Sequence, residues 1–343
     1  LHKEYRRQRQ MCIRDSTMLG GIWATGALSG RKIVAEQNKS ADQSPSGGSV
    51  DEPAAGWKPT AAAKSKATMF RWIAAVLWAL AIIGEGVSIF WLLRQREYVG
   101  EDGALVRDPD TGLLEDRGVT VVFPQWAFVT LLVLLVVIAA LAITGSILWK
   151  KANRLDPARR SETVRFFVQN QLGAIIAIVA FLPLVILIFL NKDMSKGQKT
   201  TAGIVGVVLA LLATVIGADF NPPSVEKYTA DQSAVIQLLG KDEVVWVDGG
   251  AVYHVCEDVS DIQTGSEKRI GTTAEAVEAG KSRLTLKFAS ELNACGLSVP
   301  QNADEIEDAL REIQAGAVDT ALPAPVWTNG DDAPPVIEDA PSE

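Results

Sequence analysis

The chain has 343 residues, 48% hydrophobic and 22% charged, with a formal net charge of −8. That charge is divided: residues 219–343 hold 24 Asp and Glu against 8 Lys and Arg, while residues 1–218 hold 17 against 25. Long uncharged apolar runs between Phe70 and Ala218 exclude a single soluble globule. The bases flank those runs and form no basic domain, which excludes a nucleic-acid binder.

Residues 1–17 read LHKEYRRQRQMCIRDST, basic and without hydrophobic period or the apolar core of a signal peptide. The string KEYRRQRQMCIRDS resembles translated sequencing-adapter DNA, so an artefact is expected here, with Met18 as the true start. Setting it aside removes Cys12 and His2 and leaves Cys256, Cys295 and His254. Residues 18–69, rich in Gly, Ala, Ser, Pro and Lys, are expected to form a disordered N-terminal arm.

Four apolar runs follow, at about 70–93, 126–149, 172–190 and 201–218. The first carries only Arg71 at its edge and Glu85 inside; the others carry no charge. A hydrocarbon core of about 30 Å takes about 20 helical residues, so these runs predict four transmembrane helices and a lipid bilayer as partner. Trp72 and Trp91 bracket the first run, and Trp126 and Trp149 the second, as indoles do at headgroup level. Between the second and third runs lie Lys150, Lys151, Arg154, Arg159, Arg160 and Arg165, and Lys58, Lys64, Lys66 and Arg71 precede the first. The 94–125 loop mixes four bases with seven acids. The positive-inside rule therefore predicts a multi-pass protein of the cell membrane with both termini cytoplasmic. Lys192, Lys196 and Lys199 before the fourth run, against Lys227 after it, pull the other way.

Glu85, between Gly84 and Gly86, is the one ionisable residue well inside a run. An intramembrane carboxylate is costly, which raises proton or cation handling; the alternative is a structural carboxyl bonded to Ser88 or Thr144. Pro183 predicts a kink in the third run. In the fourth, Ala202, Gly206, Ala210, Thr214 and Ala218 recur every four residues and predict a packing seam, within the bundle or between the subunits of a homo-oligomer.

Beyond the Asn221-Pro222-Pro223 stop, residues 225–315 predict a small α/β domain. Its elements are a helix at 224–239, strands at 244–247 and 251–256 joined through Asp248-Gly249-Gly250 as a hairpin, and helices at 274–279, 282–294 and 303–315. Residues 317–343 are expected to be a disordered acidic tail.

The stretch Val245-Trp246-Val247-Asp248-Gly249-Gly250-Ala251-Val252-Tyr253-His254-Val255-Cys256, with Gly271-Thr272-Thr273 and Ala279-Gly280-Lys281, resembles a tail module of uncharacterised actinobacterial membrane proteins. Trp149-Lys150-Lys151-Ala152-Asn153 and the segment 166–176 resemble the same family, over roughly residues 65–300 in all. The resemblance implies a Tyr-His element, a nearby Cys and a C-x-x-C pair that together resemble a small zinc site. The matching stretch here, 283–288, holds no cysteine.

The residues themselves leave three readings for His254, Cys256 and Cys295. Structural zinc takes four ligands, and only these three are strong candidates. A Cys256–Cys295 disulfide would close a loop near 40 residues and stabilise by roughly 3–4 kcal/mol, but belongs to an oxidising compartment. Free thiols go with a cytoplasmic tail. No nucleophile stands beside His254, phosphate-binding glycine loops are absent, and Asp304, Glu305, Glu307 and Asp308 read as a solvated helix face. No enzymatic activity and no cofactor are expected; the tail is expected to be an interaction or sensing module for a protein or small molecule.

Overall fold

Each apolar run forms a helix that continues past it at one or both ends. In the computed structural model these helices are α1 (Ala61–Phe90), α2 (Gln125–Leu155), α3 (Thr163–Leu190) and α4 (Lys196–Gly217). The structure describes residues 56–100, 105–107, 111–116, 120–262, 265–328, 333 and 334. The expected artefact at 1–17, most of the N-terminal arm and the end of the acidic tail lie outside the described residues. All four helices are long and apolar enough to cross a membrane.

Local chemistry sets the helix starts. Thr60 Oγ1 accepts from Ala63 N at 3.0 Å, and Ser195 forms a capping box with Gln198. These caps explain why the polar residues Lys64, Lys66, Lys196 and Lys199 are helical although they lie outside the apolar runs. Pro183 lies inside α3, which continues through it.

α1 packs chiefly on α2, and α3 on α4, while α2 also meets α3 and α4. Leu131, Leu135, Ile138, Phe181, Leu184 and Ile188 fill the centre. Close approach depends on absent side chains: a Cβ on Gly217 would stand 2.6 Å from the Gly173 carbonyl carbon. The outer surface is apolar too, with Ile83, Val133, Leu182 and Leu211 exposed.

At one end of the bundle the α2–α3 turn is tied by side chains. Trp149 Nε1 and Asn153 Nδ2 both donate to the Gln169 carbonyl at 2.7 Å, and Arg71 pairs with Asp156 at 2.6 Å. At the other end, β1 (Glu97–Val99) pairs antiparallel with β4 (Thr120–Val122), and between them β2 (Leu105–Arg107) pairs with β3 (Leu114–Asp116). Phe123 N–H donates to the Asp193 carbonyl and Arg96 pairs with Asp193, joining this loop to the α3–α4 turn.

The C-terminal module follows α4. Its elements are α5 (Val225–Leu239), β5 (Val244–Val247), β6 (Val252–Tyr253), β7 (Lys268–Gly271), α6 (Thr273–Glu278), β8 (Arg283–Leu284), α7 (Phe288–Ala294) and α8 (Ala303–Ala315). Tyr228, Val235, Trp246, Tyr253, Phe288 and Leu310 contribute to its core. The expected hairpin is reduced to one bridge, Val245 to His254; β5 instead pairs antiparallel with β7, and β6 runs parallel to β8. The reason is Lys281, buried, whose Nζ donates to the carbonyls of Val247 and Gly250 at 2.5 and 2.7 Å and occupies the Asp-Gly-Gly turn. The helix expected at 282–294 is split for the same topological reason, its first residues being strand β8.

Two boundaries need correction. Residues 56–69 are not part of a disordered arm: Trp57 is buried against Tyr228 with ring centroids 4.7 Å apart, and Ala63 and Ala67 pack on Ala152 and Leu155. Residues 317–328 are not a free tail. Asn302 Nδ2 donates to the Ala324 carbonyl, Val326 N–H donates to Asn302 Oδ1, and Trp327 packs on the module core. Trp57 with Ala63 and Ala67 in the first segment, and Leu322 with Trp327 in the second, make the apolar contacts that overall composition hid.

Candidate functional site

The candidate residues of the module meet at the start of the chain after β6. Cys256 and Cys295 are joined by a disulfide, so neither sulfur is a free thiol or an available metal ligand. His254 Nδ1 lies 2.7 Å from Glu291 Oε1, with the two side chains 5% and 4% exposed. The second oxygen, Glu291 Oε2, accepts from Val255 N–H at 3.2 Å. Glu291 and Cys295 are four apart on α7 and its C-cap, hence on one helix face, and together they fasten residues 254–256 by an ionisable pair and a covalent bond. His254 is thus engaged at one ring nitrogen. Among the described residues no group of three or more His, Cys, Asp or Glu is arranged to hold a metal ion. A cleft of about 540 Å³ borders the bridge, lined in part by Val255, Cys256, Ile270, Leu297 and Trp327.

A second buried acid organises the module. Asp231 accepts from Tyr253 Oη at 3.1 Å, Leu284 N–H at 2.9 Å and Gln314 Nε2 at 2.9 Å. Burial pushes its carboxyl above the usual range, against the lowering effect of those three donors. Tyr253 is pushed well above the ordinary phenol value by the same burial and by Asp231 itself.

The module sits on the bundle end that carries the α2–α3 turn. Tyr228 Oη donates to the Arg154 carbonyl, Val225 N–H to the Ala158 carbonyl, and Trp57 N–H to Thr229 Oγ1. Arg160 Nη1 donates to the carbonyls of Gly316 and Ala317, each at 3.0 Å, just past the end of α8. Glu278 on α6 accepts from Thr60 Oγ1 at 2.6 Å and pairs with Lys66 at 2.7 Å, contacts that hold its carboxyl below the usual range. Module and bundle therefore share hydrogen bonds from α1, the α2–α3 turn, α5, α6 and the segment after α8.

Within the bundle Glu85 is 6% exposed and belongs to an inward stripe, Ala74, Trp78, Ala81, Glu85 and Ser88. Among the described residues its Oε1 has no hydrogen-bond partner; the Ser88 hydroxyl donates to the Gly84 carbonyl at 2.9 Å. The seam on α4 is also inward. Ala202 and Gly206 are buried, and Ala210, Thr214 and Ala218 are half-buried, while Gly203, Ala213 and Gly217 complete the buried face. Strict four-residue spacing drifts around a 3.6-residue helix, so the packed face moves from 206 to 213 and 217. A Cβ on Gly206 would meet Val185 at 2.8 Å, which places that contact between α4 and α3.

The Asp304, Glu305, Glu307 and Asp308 run lies on α8, where Arg311 pairs with both Glu307 and Asp308. Glu291 and Asp231 were missed in the sequence, and Lys281 stood out there only within the Ala279-Gly280-Lys281 resemblance, with no role. Of the two missed acids only Glu291 left a signal, its placement four residues before Cys295. Comparison of the chain with protein-family models, curated proteins and solved structures finds no match.

Proposed function

We propose that the chain is a non-enzymatic multi-pass protein of the cell membrane whose C-terminal module senses a state or partner and passes it to the helices. The observation that carries this reading is the docking of the module on the bundle end, through α1, the α2–α3 turn and α6 together. A module joined at so many points cannot rearrange without acting on the helices beneath. The exposed apolar side chains around the bundle support lipid as its surroundings, since water would leave them uncovered.

The same end carries Lys64, Lys66, Arg71, Lys150, Lys151, Arg154, Arg159, Arg160 and Arg165, which supports a cytoplasmic side for both termini. Bridges are rare in that compartment, and the observed one pulls against the placement unless it is of the transient, redox-sensing kind that forms there. Reduction by a cellular dithiol would break the Cys256–Cys295 bond, deliver two electrons and two protons to give two thiols, and leave the reductant as its own disulfide. The His254–Glu291 contact would remain as the second fastener.

Hydrogen exchange on the protein in lipid nanodiscs, oxidised and then reduced, tests the reading. Altered protection should reach residues 56–66 and 154–162. Changes confined to 251–262 and 285–299 would overturn it. The side is tested by an impermeant maleimide on intact cells with an impermeant reductant: labelling should require permeabilisation, and labelling without it would place the module outside.

A second reading, proton or cation handling, is favoured by one observation, the unpartnered oxygen of the buried Glu85. It predicts loss of ion flux in vesicles for Glu85→Gln. A folded variant with unchanged flux removes it.

A further inference from the structure

Between the α2–α3 turn, the start of α5 and the segment after α8 lies a cavity of about 670 Å³, lined by Arg159, Arg160, Glu226, Lys227 and Thr320 among others. Its charges are unbalanced. Lys227 is 7% exposed, and its ammonium bonds to the neutral Asn221 Oδ1 and to no carboxylate. The Arg160 guanidinium is spent on two backbone carbonyls. Arg159 is exposed, and its guanidinium forms no hydrogen bond or ion pair with any described residue. The one acid in the wall, Glu226, accepts from the Arg160 backbone N–H at 2.9 and 3.1 Å and not from a side-chain cation. Three cations thus line the cavity with one carboxylate. The buried one, Lys227, has no ion pair among the described residues and only the more distant charges of Asp219 and Asp231 to offset it, whereas buried charge is ordinarily paired.

Arg160 also lines a neighbouring cleft of about 380 Å³ with Phe166, Phe220, Pro222 and Val318. Phe220 is 82% exposed, just past the end of α4, at the level where α2 and α3 also turn. A cationic cavity that shares Arg160 and Val318 with an apolar cleft at a helix end matches one amphipathic chemistry, a phosphate with hydrocarbon attached.

We propose that this junction binds the phosphate of an anionic phospholipid, with Arg159 and Lys227 as its charged ligands and Arg160 holding the floor, while the acyl chains leave past Phe166 and Phe220. Such a lipid would bridge the bundle and the module at the point where the two are hydrogen-bonded. This inference uses the membrane reading of the helices and is independent of the redox reading.

The test is native mass spectrometry of the full chain released from nanodiscs of phosphatidylcholine with and without phosphatidylglycerol. Wild type should retain phosphatidylglycerol in preference to phosphatidylcholine. Arg159→Gln, which removes an exposed side chain with no partner, should lose about fivefold in retention, the contribution of one base near an anionic surface. Lys227→Gln should lose at least as much, and inorganic phosphate should compete only weakly. Equal retention by wild type and Arg159→Gln would overturn the proposal, as would absence of any lipid preference. Protection by inorganic phosphate in lipid-free detergent without phosphatidylglycerol retention would overturn the lipid occupant. Chymotryptic resistance of the module separates misfolding of Lys227→Gln from loss of a ligand.

Discussion

Replacing Asp231 by alanine should collapse the module more than any surface change. The substitution removes the acceptor for Tyr253 Oη and Leu284 N–H, both in fully buried residues, and one of the two acceptors of Gln314 Nε2. Each buried donor left without a partner costs about 1–3 kcal/mol. Two such orphans give about 2–6 kcal/mol, reduced by relief of the buried carboxyl, so the expected net loss is about 2–4 kcal/mol. Asp231→Asn keeps one carbonyl oxygen for Tyr253 and Leu284 but turns an Nδ2 donor toward Gln314 Nε2, so it should lose about 1 kcal/mol, less than alanine. Pulse proteolysis of the full chain in urea, read on the module fragment, measures both. The pH dependence separates charge from hydrogen bonding. Burial raises the folded carboxyl above 3.8, so between that value and the folded one the native state holds the extra proton. Stability therefore falls as pH rises through that window, and the Asn variant should lack the slope. A loss under about 1 kcal/mol for Ala, or an Asn variant as damaged as Ala, would refute the network.

Two further predictions concern other groups. Cys256→Ser with Cys295→Ser should lower module stability by roughly 3–4 kcal/mol, the chain-entropy value for a loop of that length, and reductant should have no further effect on the variant. Burial, with Arg160 nearby, pushes Lys227 down to about 8. Below about 8 both states carry the charge and the fold bears its burial; from there to 10.5 only the unfolded chain keeps the proton, so stability rises with pH. Lys227→Met in lipid-free detergent should remove that rise and stabilise at neutral pH by about 1–3 kcal/mol, measured by the same proteolysis.

The four long helices were legible because a helix able to cross lipid needs about 20 residues that are apolar with at most an isolated charge, and each run meets that need separately. Their ends were less legible, since Thr60 and Ser195 cap polar turns that carry no apolar signal. α5 was readable from its stop at Gly240, which is left-handed, and α8 from Ile306, Leu310 and Ile313 on one face, all buried. β7, Lys-Arg-Ile-Gly, was not, because its side chains are mostly exposed and only its backbone joins β5. The site was half legible. Cys256, Cys295 and His254 stand out as rare residues, but the partner of His254 is one glutamate among many until α7 brings it within 2.7 Å. Docking could not be read at all: Lys66 and Glu278 are 212 residues apart, and nothing in either neighbourhood points to the other.

That pair offers the most direct measurement of the docked module. A zero-length carbodiimide joins an ammonium and a carboxylate only when they touch, and Lys66 Nζ stands 2.7 Å from Glu278 Oε1. In native membranes the Lys66–Glu278 amide should appear by mass spectrometry alongside the Lys287–Asp261 amide, whose partners lie within the module 2.8 Å apart. Recovery of Lys287–Asp261 without Lys66–Glu278 would contradict the docking, and with it the route proposed for the module to act on the helices.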